Sequence, residues 1–200
     1  MVYREKIDLQ SNDKAVTFHN ITEEVKEIIK RSNISNGIVS IYSHHTTCSV
    51  ITQEIAFDMS ITGLETLQQD FVECLQKIMP DCVRERIYLH PGPKALKFAE
   101  EHDEDARGCH NTDAHLRSAL IGRSENITLI DKEMDLGEFA NIYFIDFDTT
   151  RARKRGVQVT VLGEERGVLW QKEDIYRFTW KCMIKILLEL DRGSMRFAQK

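Results

Sequence analysis

Gly37-Ile38-Val39-Ser40-Ile41-Tyr42, Ser43-His44-His45-Thr46-Thr47 and Cys48-Ser49-Val50-Ile51-Thr52 follow one another without interruption, and the contrast between them decides the fold. The first and third runs are rich in residues that favour a pleated sheet and read as strands; the polar middle run is the strand end or turn between them. Upstream, Tyr3, Ile7 and Leu9 alternate with Arg4, Lys6 and Asp8, which predicts a half-buried strand. Ala15 to Phe18 reads as its return strand after the turn at Ser11-Asn12-Asp13, so the chain is expected to open with a hairpin. Asn20, three residues before Glu23, makes a capping-box variant. Ile21, Val25, Ile28 and Ile29 then share one face of a helix that ends near Ser32.

Downstream, Leu64, Leu67, Phe71, Leu75 and Ile78 recur at helical spacing and predict a second helix within Asp58 to Met79, closed by Pro80-Asp81. Tyr88 to Asn111 is polar, contains Pro91-Gly92-Pro93 and has room for a short helix around Lys94 to Glu101. Long irregular stretches of this kind are often functional. A third helix fits Thr112 to Ile121, with Asn111 or Thr112 as cap and Gly122 as stop. Asn126 to Ile130, Phe139 to Phe147 and Val157 to Leu162 read as strands of a mostly antiparallel sheet, the last two joined by a basic connection from Thr150 to Gly156. Lys172 to Leu190 has the spacing of an accessory helix packed on the same domain. With no internal repeat and no low-complexity segment, the expectation is one α+β unit.

The 200 residues are 42% apolar and 30% charged, enough for one domain with a substantial core. A net charge of -5 gives no global attraction to nucleic acid or to an anionic membrane, so small, non-polymeric partners are expected. The N-terminal Met1 to Lys6 lacks a signal-peptide core and Met183 to Leu190 is too short to span a bilayer, so a cytoplasmic location is expected. The sequons at Asn20, Asn33 and Asn126 then carry no weight. Five cysteines without a C-x-x-C pair form neither a disulfide framework nor a zinc knuckle and read as reduced packing residues.

The polar segments hold the histidines: the His44/His45 pair, His90, His102, His110 and His115. Neutral imidazole is a common ligand for borderline metals, and three such nitrogens with an open fourth position make a water-activating site. Adjacent residues of an extended segment point to opposite faces, which removes one of His44 and His45 from a shared coordination sphere. No H-x-x-x-H or H-E-x-x-H spacing is present, and hydrogen bonding in a polar rim remains the alternative role. Glu54, Asp103, Glu104, Asp105 and Asp113 supply carboxylates, of which Glu54, just past an apolar strand, is the better candidate for proton transfer. Arg151, Arg153, Lys154 and Arg155 match the needs of a phosphate, or else form a solvated loop; without interleaved aromatics they do not point to nucleic acid. The common nucleotide-loop and serine-hydrolase motifs are missing.

Taken in order, His45-Thr46-Thr47-Cys48-Ser49 with Gln53-Glu54, then Ala114-His115-Leu116-Arg117-Ser118-Ala119-Leu120 with Ile121-Gly122, then Leu136-Gly137, then Asp146-Phe147-Asp148 leading to Arg151-Ala152-Arg153, resemble the YjbQ-like family across residues 3–163. The resemblance implies a domain over residues 1–163 built of two packed, mostly antiparallel sheets with flanking helices, a homotrimer, and a histidine-lined site often occupied by a metal. Residues 164–200, a C-terminal helical extension, lie outside it. Carried over, His45 and His115 match motif histidines, His102 with Asp103 matches a third, and Glu54 matches the motif glutamate. Gln53 stands where the motif has Asn, Glu138-Phe139-Ala140 replaces T-W-Q, and the loop before His115 is longer, which leaves His90 or His110 as alternatives to His102.

The expected function is therefore that of a metal-binding protein in which His45, His102 and His115 hold a divalent ion such as zinc. Glu54 moves a proton, and Arg151 or Arg153 holds the phosphate of a small metabolite. Thiamine-phosphate synthesis, a transferase reaction that joins a pyrimidine diphosphate to a thiazole phosphate, is the activity implied by the resemblance. The alternatives are a non-catalytic trimer that binds a metal or metabolite, and a metal-assisted hydrolase.

Overall fold

Within residues 1–82 and 87–165, which the computed structural model describes, the chain runs β1 (Val2–Gln10), β2 (Thr17–Asn20), α1 (Thr22–Ser32), β3 (Ile34–Ser43), β4 (Cys48–Glu54), α2 (Thr66–Ile78), α3 (Pro93–Glu101), a 3-10 turn (Ala106–Cys109), α4 (Thr112–Ile121), β5 (Ser124–Ile130), β6 (Glu133–Met134), β7 (Ala140–Asp146) and β8 (Lys154–Glu165). The accessory helix expected at 172–190 lies outside the described residues. The strands make two antiparallel sheets, β1-β8-β3-β5-β6 and β2-β7-β4. The fold is thus the expected α+β arrangement of two sheets with flanking helices.

Side-chain alternation explains the layers. In β8, Val157, Val159 and Val161 are fully buried and face inward, and β7 presents Ile142 and Phe144 to the same core. Alpha-helix α1 closes this core with Val25, Ile28 and Ile29. The other parity of β7 is also covered: Ile145 packs with Leu75 of α2 and Ala114 of α4, and the Tyr143 ring meets Phe18 edge-on. A strand covered on both faces reads as a continuous apolar run, as Ile142-Tyr143-Phe144-Ile145 does.

The expected N-terminal hairpin does not form. β1 pairs with β8 in the large sheet, whereas β2 pairs with β7 in the small one, so the chain changes sheet at Ser11 to Val16. Asn12 organises that crossing by accepting from the backbone N–H groups of Lys14 and Ala15, and Val16 and Phe18 pack with the small-sheet cluster. β3 and β4 likewise belong to different sheets, so the His44 to Thr47 segment is a sheet-to-sheet corner. Helix α2 starts at Thr66, not near Asp58, because Glu65 and Gln68 form a capping box there. The Glu65 carboxylate also accepts from the Ala56 N–H and the Tyr143 hydroxyl, folding residues 56–65 into a loop.

At the corner, the alternation that buries the three valines of β8 also points Arg155 inward, and that of β7 points Asp146 inward to meet it. Arg155 Nε lies 2.6 Å from Asp146 Oδ2, with side chains 4% and 0% exposed. Asp148 completes the network: it lies 3.2 Å from Arg153 and 3.9 Å from Arg155, and accepts from the Asn111 amide and the Thr150 hydroxyl. Burial alone would raise the Asp148 pKa, but the Thr150 and Asn111 hydrogen bonds and the Arg153 charge outweigh it and hold it below its ordinary 3.8.

Two outcomes follow from these contacts. Gly163 of β8 lies so close to β3 that a Cβ built there would overlap the Asn36 carbonyl oxygen. Gly163→Val is therefore expected to cost about 1–3 kcal/mol, read as a lower urea midpoint at unchanged slope. A carboxylate with a depressed folded pKa contributes stability that is present above its unfolded pKa and lost as pH falls through the folded value. Stability is therefore expected to decline below about pH 4, and Asp148→Asn to flatten that decline while lowering stability at neutral pH, as measured by denaturation across an acid series.

Candidate functional site

Helix α4 brings the histidines to the corner. Its Ser118 hydroxyl donates to the Cys48 carbonyl at 2.7 Å, satisfying the start of edge strand β4. His115, three residues earlier and so on the same helix face, bonds through Nδ1 to the Thr46 carbonyl at 3.2 Å. A carbonyl only accepts, so His115 carries its proton on Nδ1 and keeps the Nε2 lone pair. Burial lowers the His115 pKa below its ordinary 6.5, and the facing His90 adds to this against the effect of the Thr46 carbonyl, so the ring is neutral at pH 7.

His90 comes to this place from the long polar loop. Its ring faces that of His115 edge-on, with centroids 5.9 Å apart. His90 Nδ1 lies 2.9 Å from the Thr112 hydroxyl oxygen, and that hydroxyl lies 2.7 Å from the His90 carbonyl. His90 also lines an open cleft of about 530 Å³ with Cys82, Tyr88, Ala106, Arg107 and His110.

The other histidines stand apart from this pair. His45 is at the corner, but its Nε2 accepts from the Gly156 N–H at 3.1 Å and its ring lines a separate cleft with Lys6, Lys154 and Arg155. Burial first, then the Arg155 charge, lowers its pKa. His102 is exposed at the C-terminal end of α3, where it donates through Nδ1 to the Phe98 carbonyl and stacks on the Phe98 ring at 4.0 Å. His44 is exposed and packs edge-on against Tyr42. Of the three histidines expected to share one metal, the structure brings His115 together with His90 and leaves His102 with Phe98. Among the described residues no group of three or more His, Cys, Asp and Glu side chains is disposed to hold a metal ion.

Glu54 stands exposed at the far end of β4, opposite Ala140, on the order of 20 Å along the strand from Cys48. The arginines divide by depth. Arg155 is committed to Asp146; Arg153 is a quarter exposed and pairs with Asp148; Arg151 rests on Gly108 and makes an exposed ion pair with Glu104 at 3.2 Å. The Nε atoms of Arg151 and Arg153 are shielded from solvent yet have no hydrogen-bond partner. Arg153 lies close enough for its charge to act on His115, and Arg151 neighbours Arg153, so the corner carries guanidinium charge suited to an anion with several oxygens.

Asn111, Thr112, Asp148 and Arg107 were not singled out by sequence reasoning as parts of a binding site. Asn111 occupies the expected cap position of α4, but its amide goes to Asp148 and not to the helix backbone. The available signal was the run Asn111-Thr112-Asp113, three polar residues that open a helix between two histidines.

Comparison with known proteins places the chain in a family. The family described as "UPF0047 protein YjbQ-like" matches residues 5–164. A UPF0047 protein of Methanothermobacter thermautotrophicus is 26% identical over 163 residues, 82% of this chain and 94% of the relative. One of Methanocaldococcus jannaschii is 28% identical over 159 residues, 80% of this chain and 94% of that one. Among solved structures, an uncharacterised YjbQ/UPF0047 protein of Clostridium acetobutylicum superposes with a TM-score of 0.59 at 24% identity, covering 79% of this chain and 99% of that one. A protein of unknown function from Sulfolobus solfataricus gives 0.59 at 20% identity, covering 82% and 100%. These two share the fold. With a match that runs through both sheets and the histidine pair, the chain belongs to the YjbQ-like family of UPF0047 proteins.

Proposed function

We propose that this protein binds a small phosphorylated metabolite at the α4 corner, with a divalent ion such as zinc held by Nε2 of His90 and His115. The observation that carries the reading is the facing pair of imidazoles, both engaged through Nδ1, with the Arg153 charge acting on His115. Metal-bound histidines characteristically use their second nitrogen to fix orientation in this way. The donor set fits a borderline ion with two protein nitrogens, the other positions falling to water or ligand oxygens. Such an ion polarises phosphate oxygens, and the chain's own residues bind the phosphate through Arg151 and Arg153 and orient the rings through Thr46 and Thr112. Metal-assisted hydrolysis is the chemistry this donor set suits, and transfer of the thiamine-phosphate synthase type stays as the activity the family resemblance implies.

A second reading, a non-catalytic binding protein, is favoured by the position of Glu54. The carboxylate expected to move a proton stands at the wrong end of β4 to reach the pair within one chain. Likewise a homotrimer, in which another copy supplies groups to the corner, belongs to this proposal and is read out by sedimentation.

Zinc affinity, measured by competition with a chromophoric chelator, is expected to fall at least about tenfold in His90→Ala and in His115→Ala and to stay unchanged in His102→Ala. Pyrophosphate is expected to raise the melting temperature of the parent and to lose that effect in Arg151→Met. Parental zinc affinity in both of the first two variants would overturn the metal reading; an unchanged pyrophosphate response in Arg151→Met would overturn the anion reading.

A further inference from the structure

Thr112 opens helix α4 and is buried, at 8% exposed. The hydroxyl makes two contacts, both with His90: one to the backbone carbonyl at 2.7 Å and one to ring Nδ1 at 2.9 Å. A hydroxyl has one hydrogen to give. The carbonyl has none and only accepts, so the Thr112 hydrogen goes to it, and the remaining Nδ1 contact is made with the imidazole as donor. That arrangement protonates His90 on Nδ1 and leaves Nε2 as the lone-pair nitrogen. The same residue pair anchors the loop backbone and the ring, so rotation of the ring about its χ angles is opposed at both ends.

We infer that Thr112 is a positioning residue for His90, setting the tautomer that makes Nε2 the ligand nitrogen of the pair formed with His115. The consequence for a metal rests on the proposed function above; the tautomer does not. Asn111 and Asp113, on either side, are engaged elsewhere, with Asp148 at 3.1 Å and with Arg117 at 3.3 Å, so neither replaces the Thr112 hydroxyl. His115 reaches the same protonation pattern by a different route, through the Thr46 carbonyl. Thr112 is therefore specific to one ring of the two, which makes its effect separable.

The test uses the full chain labelled with 15N-histidine, at a pH where both rings are neutral, together with zinc competition on the same samples. In the parent, long-range 15N–1H correlations are expected to show His90 and His115 both as Nδ1–H. In Thr112→Val, which keeps the shape and removes the hydroxyl, His90 is expected to populate the Nε2–H form while His115 is unchanged. Zinc affinity is expected to fall about 10- to 100-fold. Thr112→Ser restores the hydroxyl and is expected to return both readouts toward the parent. Circular dichroism melts of each variant confirm the fold. A His90 that remains Nδ1–H in Thr112→Val overturns the inference, as does a tautomer shift that Thr112→Ser fails to reverse. A parent that binds no zinc but shows the Thr112-dependent tautomer removes the metal reading and leaves the positioning role standing.

Discussion

The ion pair between Arg155 and Asp146 is the constraint on which the corner depends. It joins β8 of the large sheet to β7 of the small one, at the end of the same inward-facing rows that carry Val157 and Phe144. Two charges this deep are costly to desolvate, and an arrangement of this kind persists only when the remaining donors and acceptors are matched. They are: Arg155 also donates to the Thr47 hydroxyl, and Asp146 accepts from the Asp148 N–H. Each of these partners belongs to a segment that would otherwise be a free loop. The network therefore fixes residues 47, 146–148 and 153–155 together, and the site is built on that floor. Nearby, burial and the Asp146 charge push the Cys48 thiol up to about 12, which makes it an inert packing group despite its central place.

Helix α4 converts this floor into a site. Its first residues are polar and buried, each committed to a different part of the chain: Asn111 to Asp148, Thr112 to His90, Asp113 to Arg117. Arg117 in turn donates to the Met79 carbonyl at the end of α2. One helix N-terminus thus ties the sheet corner, the long loop and α2, and His115 in its first turn inherits a defined position from all three. The Arg117 Nε is buried without a partner, but the contacts that Asn111, Thr112, Asp113 and the Arg117 Nη2 do make favour one arrangement over its competitors, because losing them leaves a charge or an amide unpaired.

Much of this was legible from period and punctuation. The strands at 37–42, 48–52, 126–130 and 157–162, and the limits of α4 at Thr112 and Gly122, follow from alternation, helical spacing and stop signals that tertiary contacts did not override. The N-terminal hairpin was not legible, because alternation reports which face of a strand is buried and not which sheet it joins. The basic run at 151–155 read as a phosphate site or a solvated loop, yet counting back by twos from Val161 through Val159 and Val157 reaches Arg155, which shows that strand parity was already pointing it into the core. His102 matched a family motif by local wording, His102 with Asp103; the residue that meets His115 is His90, which the longer loop had offered only as an alternative beside His110, because no local pattern encodes that loop's path. Glu54 was placed by its motif as well, and a strand of seven residues carries it away from the corner.

The proposed anion at this corner would leave the charge balance of the core intact. Arg153 and Arg155 face Asp146 and Asp148, so the inner four charges cancel. Arg151 is left to Glu104, and with side chains 40% and 46% exposed that pair contributes little to stability. It opens at small cost. Once open, the outer guanidinium presents a net positive charge beside Arg153, whose shielded Nε already lacks a partner. In the proposed complex a phosphate oxygen takes the place of the Glu104 carboxylate without disturbing Asp146 or Asp148, because the charge it neutralises is the one the folded core does not need. Depth in the fold thereby separates Arg155, which holds the sheets together, from Arg151, whose exposed pair with Glu104 the core does not need.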